Sequence, residues 1–421
     1  MAFQQGLSGL NASSKALDVV GNNVANSSTV GFKASNAHFA DIYAATLNGT
    51  GATQIGIGVT LASVFQQFTQ GNVTSTNNPL DIAINGDGFF NLTRTDGTIA
   101  YSRNGQFHPD NQGYIVNDQG CRLMGYPTTS TGIIVPSTAV PIQIDTSNVA
   151  PRPSGSAEAG NARMELNLDS RAEDPAITPF DPGNPLTYTY STPETVYDTL
   201  GVEHTITYFF VRNKGAGPGQ WDIHAMLDGD ATTARPLTGG LNFNTNGQLT
   251  TTAPIPLPTD WTITTGADTP LGDGQPNWNI DFSKTTSFAG NSTVNFKYDG
   301  GYGQGALSSV SVDSDGRLLG NYSNGQSKVL AQIVLSTFAN PNGLISTGNN
   351  LFNATLDSGQ PLVGVPESGI RGSLRPMSVE ESNVDLTNEL VAMITLQRNY
   401  QANAQTIRTQ DQIMQTIVNL R

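Results

Sequence analysis

LDIAINGDGFFNLT (residues 80–93) alternates apolar and polar side chains through Ile82 and Ile84, breaks at Asn85-Gly86-Asp87-Gly88, and resumes through Phe89, Phe90 and Leu92. Period-two alternation marks a half-buried strand, and Asn-Gly or Asp-Gly between two such runs is the strongest short-range hairpin signal. The spacing predicts a β-hairpin. GYIVNDQGCRLMGY (113–126) repeats the scheme, and SSVSVDSDGRLLGNYSNGQSKVLAQIVLSTF (308–338) reads as a three-strand meander. ARMELNL (162–168) and HTITYFFV (204–211) are further strands, the first with Met164, Leu166 and Leu168 on one face. Every Asn-Gly and Asp-Gly pair lies between positions 48 and 343, so the middle of the chain is predicted to be antiparallel β.

The stretch 127–161 is rich in Pro, Thr and Ser and reads as a crossing between domains. Beyond it come Trp221, Trp261 and Trp278, and then the glycine cluster DGGYGQG (299–305). The organisation expected is an inserted domain over 148–300, carried by a discontinuous β domain of 73–147 with 301–377. Residues 1–72 with 378–421 are expected to form a helical core with hinge segments, NGTGATQIGIG (48–58) and GVPESGIRGSL (364–374) being the polar, Gly-rich connections proposed as hinges.

Both ends carry heptads. Phe3, Leu7, Leu10, Ser14, Leu17, Gly21 and Val24 recur in steps of four and three, as do Leu386, Leu390, Met393, Gln397, Tyr400, Ala404, Ile407, Asp411, Met414 and Val418. Asn383 is the expected cap of the second helix, and Asn23 and Asn26 are expected just past the first, as caps and turn formers. An apolar stripe is ordinarily the core of its own domain. Here the two helices are separated by a middle that closes on itself, and a two-helix pair leaves second faces such as Ile394, Leu396, Ile413 and Ile417 uncovered. Helices meeting between subunits would cover them. Gln397 and Asp411 interrupt the stripe, either as tolerated polar positions or as setters of register between subunits. The fold class is thus α+β: terminal coiled-coil-like helices with two nested, mainly antiparallel β domains between them.

Composition excludes more than it identifies. Only 13% of residues are charged and the net charge is −14, which opposes binding to nucleic acid or anionic lipid. The charge is uneven: residues 1–72 are neutral and 378–421 carry −2, so the middle holds nearly all of it. Ends that pack against copies of themselves are expected to be nearly neutral. Cys121 is the lone cysteine, expected to be a small buried side chain, and the four histidines are scattered, so no cofactor and no metal site is expected. GTGATQ (49–54) misses a dinucleotide loop, DSDG (313–316) lacks the ligands of a calcium loop, and Asp81 and Asp87 have no convergent partners for acid–base chemistry. No catalytic residue is expected. No apolar run is long enough to span a membrane, and MAFQQGLSGLNASS lacks the apolar core of a secretory signal, which by that route keeps the chain inside the cell.

ALDVVGNNVANSSTVGFK (16–33) resembles the N-terminal signature of the bacterial flagellar rod and hook proteins, with Asn23, Ala25, Asn26, Thr29, Gly31, Phe32 and Lys33 at its diagnostic places. NPLDIAINGDGFF (78–90), YSRNGQFHPDNQGYIVNDQG (101–120) and SNVDLTNELVAMITLQRNYQANAQTIRTQDQIMQTIVNLR (382–421) agree in the same order, and within the family the wording is most similar to the hook branch. The resemblance implies a structural subunit that polymerises into a short curved tube, a universal joint carrying motor torque from rod to filament. The helices would line the inner wall, and the insert the outer surface. It implies as partners further copies of the chain, the distal rod, the hook cap, the hook–filament junction proteins and the flagellar type III export apparatus. Export by that route needs no cleaved signal and places the protein in the extracellular hook, reversing the location read above. The rivals are a distal rod or hook-associated axial protein and, from another class, a secreted β-rich adhesin or carbohydrate-binding protein using the tryptophans as a sugar platform.

Overall fold

The computed structural model describes residues 2–42, 56–129, 132–156, 159–251, 254–258, 261 and 279–419. Two compact units divide the chain: Met1–Thr146 with Ser309–Asn321 and Ser327–Arg421, and Ser147–Ser308 with Tyr322–Gln326. Within the described residues the fold is mostly β, with one long helix at each end: α1 (Ala2–Ala25) and α2 (Leu386–Asn419).

In the second unit the strands Tyr190–Tyr197, Glu203–Arg212, Gln220–Leu227 and Arg235–Asn242 form an antiparallel meander. A second sheet is ordered Ile255–Pro256, Asn279–Asp281, Ala162–Asn167, Thr293–Tyr298. Alternation decides the packing: Met164, Leu166, Tyr208, Phe210, Trp221, Ile223 and Ile280 all turn inward into one core shared by the two sheets. Edge-to-face contacts of Phe282 with Tyr208 and Phe210 fill it. Trp261 is buried too, its indole N–H donating to Thr233 O at 2.6 Å.

In the first unit the strand Arg122–Pro127 is a hub, pairing with Ser327–Ile333, Phe89–Thr93, Ile115–Val116 and Val140–Pro141. The meander expected over 308–338 is present as Leu307–Val312, Arg317–Tyr322 and Ser327–Ile333. The 113–126 hairpin forms with a turn at Asn117–Gly120, and Cys121 beside it is buried. An aromatic cluster of Phe68, Phe89, Tyr101, Phe338 and Phe352 makes a core of its own.

LDIAINGDGFFNLT does not form the expected hairpin. Ile82–Asn85 pairs with Ser373–Pro376, while Phe89–Thr93 pairs with Ile99–Ser102 in the large sheet. The glycines serve a crossing between two sheets: a Cβ on Gly86 would lie 3.0 Å from Gly372 Cα, and the Gly372 N–H donates to Asp87 O at 2.8 Å. The chain's return runs antiparallel to its departure, Ser378–Glu380 pairing with Val73–Ser75.

Two more segments add detail to the expected organisation. The part of the chain expected as helical core with hinge segments also holds strands: Ser35–Ile42 (β1) and Gly58–Gln66 (β2) form a two-stranded antiparallel ribbon lying on α1. Of the first proposed hinge, 48–55 lie outside the described residues. The second, 364–374, is a closely bonded turn: the Arg371 guanidinium donates to Leu362 O and Ser368 O, both at 3.0 Å, and the Glu367 N–H donates to Gly372 O at 3.1 Å.

Candidate assembly interface

α1 and α2 pack on each other, and on α1 the seam is not the one the large apolar residues mark. In α1 the residues turned inward are Gly6, Ser13, Ala16 and Asn23, one position before Leu7, Ser14, Leu17 and Val24. Small side chains permit the approach: a Cβ on Gly6 would sit 3.2 Å from Ile407 Cγ1, and one on Gly9 2.9 Å from the Asn403 amide. On α2 the facing residues are Leu396, Asn403 and Ile407. Space remains beside this seam, a groove of about 520 Å³ lined by Ala16, Val20, Phe39 and Leu396 among others.

The stripe read from the heptads is largely turned to water on α2, and on α1 only at its start. Phe3 is 50% exposed and Leu7 44%; Leu10, Leu17 and Val24 are half-buried. On α2, Leu386, Leu390, Tyr400, Met414 and Val418 are exposed, the last to 70%, and so are Gln397 and Asp411. Met393, Ala404 and Ile407 are half-buried. Of the second-face residues, Ile394 and Ile413 are exposed, while Leu396 turns into the groove with α1.

Caps differ from expectation. The helix starts at Leu386 because Asp385 Oδ1 accepts the N–H groups of Thr387 and Asn388 at 2.9 and 3.2 Å, so Asp385 and not Asn383 is the cap. Asn383 bonds elsewhere, accepting Ala34 N–H at 2.7 Å and donating to Gln67 O at 2.8 Å. Asn23 lies inside the last turn of α1 and is buried. Its amide exchanges two bonds with the Ser35 backbone, each 2.9 Å, and donates to Glu389 Oε1 of α2 at 3.1 Å. Asn26 does form the turn past the helix, its Oδ1 accepting the Thr29 hydroxyl at 3.2 Å. Ala25 is exposed and Phe32 half-buried.

Gly31 and Lys33 end the signature at a buried ionic group. Lys33 Nζ lies 2.6 Å from Glu380 Oε1, and Arg103 Nη1 lies 3.5 Å from Glu380 Oε2, with all three side chains withdrawn from water. Lys33 also donates to Thr69 O, Arg103 to Gly86 O, and the Gly71 N–H to Glu380 Oε1. Burial pulls the Lys33 ammonium below the usual lysine range, Glu380 opposes this, and the Arg103 charge adds to it. Arg103 is lowered for the same first reason. Sequence reasoning marked Lys33 and missed Arg103 and Glu380. It also missed the Gly6–Gly9–Ser13–Ala16 stripe, whose small residues recur at helical spacing beside the large ones.

Among the described residues no group of three His, Cys, Asp or Glu side chains is placed to hold a metal, and no helix is long and apolar enough to cross a membrane.

Four family profiles match in chain order. They are the flagella basal body rod protein (residues 3–33), the flagellar hook protein FlgE/F/G D1 domain (83–148), the flagellar basal body protein FlaE D2 domain (167–302) and the flagellar basal body rod FlgEFG protein C-terminal (376–420). Full-length relatives include the flagellar hook protein FlgE of Salmonella typhimurium, 41% identical, and that of Escherichia coli K12, 40% identical, each with 100% of both chains covered. The Borreliella burgdorferi protein of the same name is 30% identical over 100% of this chain and 99% of its own. A crystal structure of Helicobacter pylori flagellar hook protein FlgE2, at 13% identity, superposes with a TM-score of 0.50 over 73% of this chain and all of that one, a likeness of fold. With relatives of this identity matched from end to end, the chain belongs to the flagellar hook protein family and is a structural subunit of the hook.

Proposed function

We propose that the chain polymerises through the outward stripes of α1 and α2, and that the tube so formed is the curved joint carrying torque from rod to filament. The observation that carries this reading is the division of labour on the helices: small residues of α1 meet Leu396, Asn403 and Ile407 of α2 in the seam within one chain, and most of the other large apolar residues of α2 are left for neighbours. Each leucine, isoleucine or methionine fully buried on assembly contributes roughly 1.5 to 3 kcal/mol. Coaxial helices held between subunits resist twist. The acidic, hairpin-rich second unit serves as the outer wall, with the β part of the first unit between, and its contacts are polar and sliding so that the tube can bend. The role is mechanical, with no catalysis. The specific partners proposed are the distal rod, the hook cap, the hook–filament junction proteins and the type III export apparatus, which passes the chain without a cleaved signal.

Before assembly the helix faces lack neighbours, so residues 1 to about 30 and 385–421 are expected to be largely disordered in the dilute chain. Electron microscopy of the purified chain at rising concentration tests the reading. Tubes are expected from the full chain and none from a chain lacking 386–421; a full chain that stays monomeric at every concentration overturns it.

A further inference from the structure

Lys33, Arg103 and Glu380 come from three stretches that meet nowhere else in sequence: the exit from α1, the β part of the first unit, and the entry to α2. In a chain with only 13% charged residues, burying three charges together is unusual, and the two cations share one buried carboxylate, with Asp87 acting on Arg103 from an exposed position. Such a group is a poor source of stability, because well-packed apolar residues in its place often do as well or better. What it supplies is a single permitted arrangement, since parting either cation from Glu380 strands a charge away from water.

The main chain around it is locked in the same place. The Gly31 N–H donates to Glu380 O at 2.7 Å, Asn350 Nδ2 donates to Val30 O at 2.8 Å, and the Glu381 N–H donates to Asn72 O at 2.8 Å. Gly31 lies so close to the β part that a Cβ on it would be 2.6 Å from Asn104 N.

We propose that Lys33, Arg103 and Glu380 form a positioning latch that fixes the roots of α1 and α2 and so sets the direction in which the helix pair leaves the β part of the first unit. Its reach explains why position matters more than energy. With 34 residues, α2 is about 51 Å long, so a tilt of roughly 10° at its root moves its far end by roughly 9 Å, about the distance between packed helices. A subunit with a loose root would present its apolar stripe to the wrong neighbour. The latch also lies just inside the segments expected to be disordered before assembly, so it holds the two roots side by side while the helices wait, which lowers the entropic cost of pairing them.

The inference uses the polymer reading for its main readout. Glu380→Gln takes the buried counter-charge from Lys33 and Arg103, leaving only the exposed Asp87 to act on Arg103, and the concentration needed for tube formation is expected to rise about a hundredfold or more. That result alone would also follow from a merely structural role. The deciding variant is Lys33→Met with Arg103→Met and Glu380→Gln, which removes every charge yet keeps an acceptor for the Gly71 N–H. Its thermal unfolding is expected to stay near that of the parent, while its tubes lose the parent's uniform curvature and subunit spacing in electron micrographs. Tubes of unchanged curvature and spacing from this triple variant overturn the latch. If the parent itself forms no tube, the polymer reading fails separately, and the latch is judged on the dilute chain. There the triple variant must speed amide exchange at Gly31 and Gly71, and unchanged exchange at both overturns it.

Discussion

The sandwich of the second unit and the terminal helix pair of the first are built on opposite principles. In the sandwich Trp221, Tyr208, Phe210 and Leu241 are withdrawn from water, and two sheets complete one core within one chain. In the helix pair the inward residues are Gly6, Ser13 and Ala16, while Leu7, Leu390, Ile394 and Met414 lie outside. A seam of small residues brings two backbones close but buries little apolar area. Burial drives folding roughly in proportion to area, so the sandwich is expected to be stable alone and the helix pair to need neighbours. On the proposed assembly, the difference separates parts expected to keep their shape as monomers from parts expected to acquire it in the polymer.

The largest expected effect is in the sandwich. Trp221→Ala empties the centre of its core and should cost about 3 to 5 kcal/mol in urea unfolding of the dilute chain. Comparable loss from an exposed leucine of α2 in the same assay would break the comparison.

Within the same core an acidic residue departs from the apolar pattern, and it sharpens the contrast through pH. Glu194 faces inward on the strand Tyr190–Tyr197, and its carboxyl is raised to about 7, first by burial and further by the Asp299 charge, with the Tyr208 hydroxyl and Lys297 opposing. The folded-state value lies above the unfolded one, so the unfolded chain releases this proton first. Stability is therefore fullest below about pH 4.5, falls as pH rises toward 7, and levels off above, with a total loss on the order of 3 kcal/mol from this group. Glu194→Gln should remove that slope, so the variant gains on the parent at pH 8 and not at pH 4. Urea titrations at the two pH values with equal differences would show that folding does not shift the titration of this carboxyl.

What the sequence makes legible follows from how local each signal is. Strand alternation in ARMELNL and the Asp313–Gly316 turn are local, and both appear as read, the turn closed by the Asp313 and Gly316 main-chain bonds. Asn85-Gly86-Asp87-Gly88 is equally local in appearance, yet its partner is Gly372, far along the chain, so a crossing looked like a hairpin. The helices are legible in extent and misleading in face. Hydrophobic weight points to Leu7, Leu17 and Leu390, whereas the α1 side of the contact within the chain follows small size, which carries no weight in such a count. Asn383 looked like a cap because it precedes the helix, but Asp385 is nearer and takes the role. The ionic group at Lys33 was half legible, since pairing across the whole length of the chain leaves no mark in spacing.

The smallest effect on the dilute chain is the most informative. Leu390 is 44% exposed and its neighbours across the helix surface, Leu386 and Ile394, are exposed as well, so Leu390→Ser removes little buried area from the monomer. Unfolding of the dilute chain should shift by no more than about 0.5 kcal/mol. If the stripe is buried against other copies in the tube, the same substitution forfeits roughly 1.5 to 3 kcal/mol per interface and raises the concentration needed for assembly about ten- to a hundredfold. The ratio of these two effects is what separates a face held for neighbours from a face that is simply wet. Equal, small effects in both assays would mean that the exposed stripe of α2 stays in water after assembly, and the small-residue seam would then have to hold the helix pair without help from outside the chain.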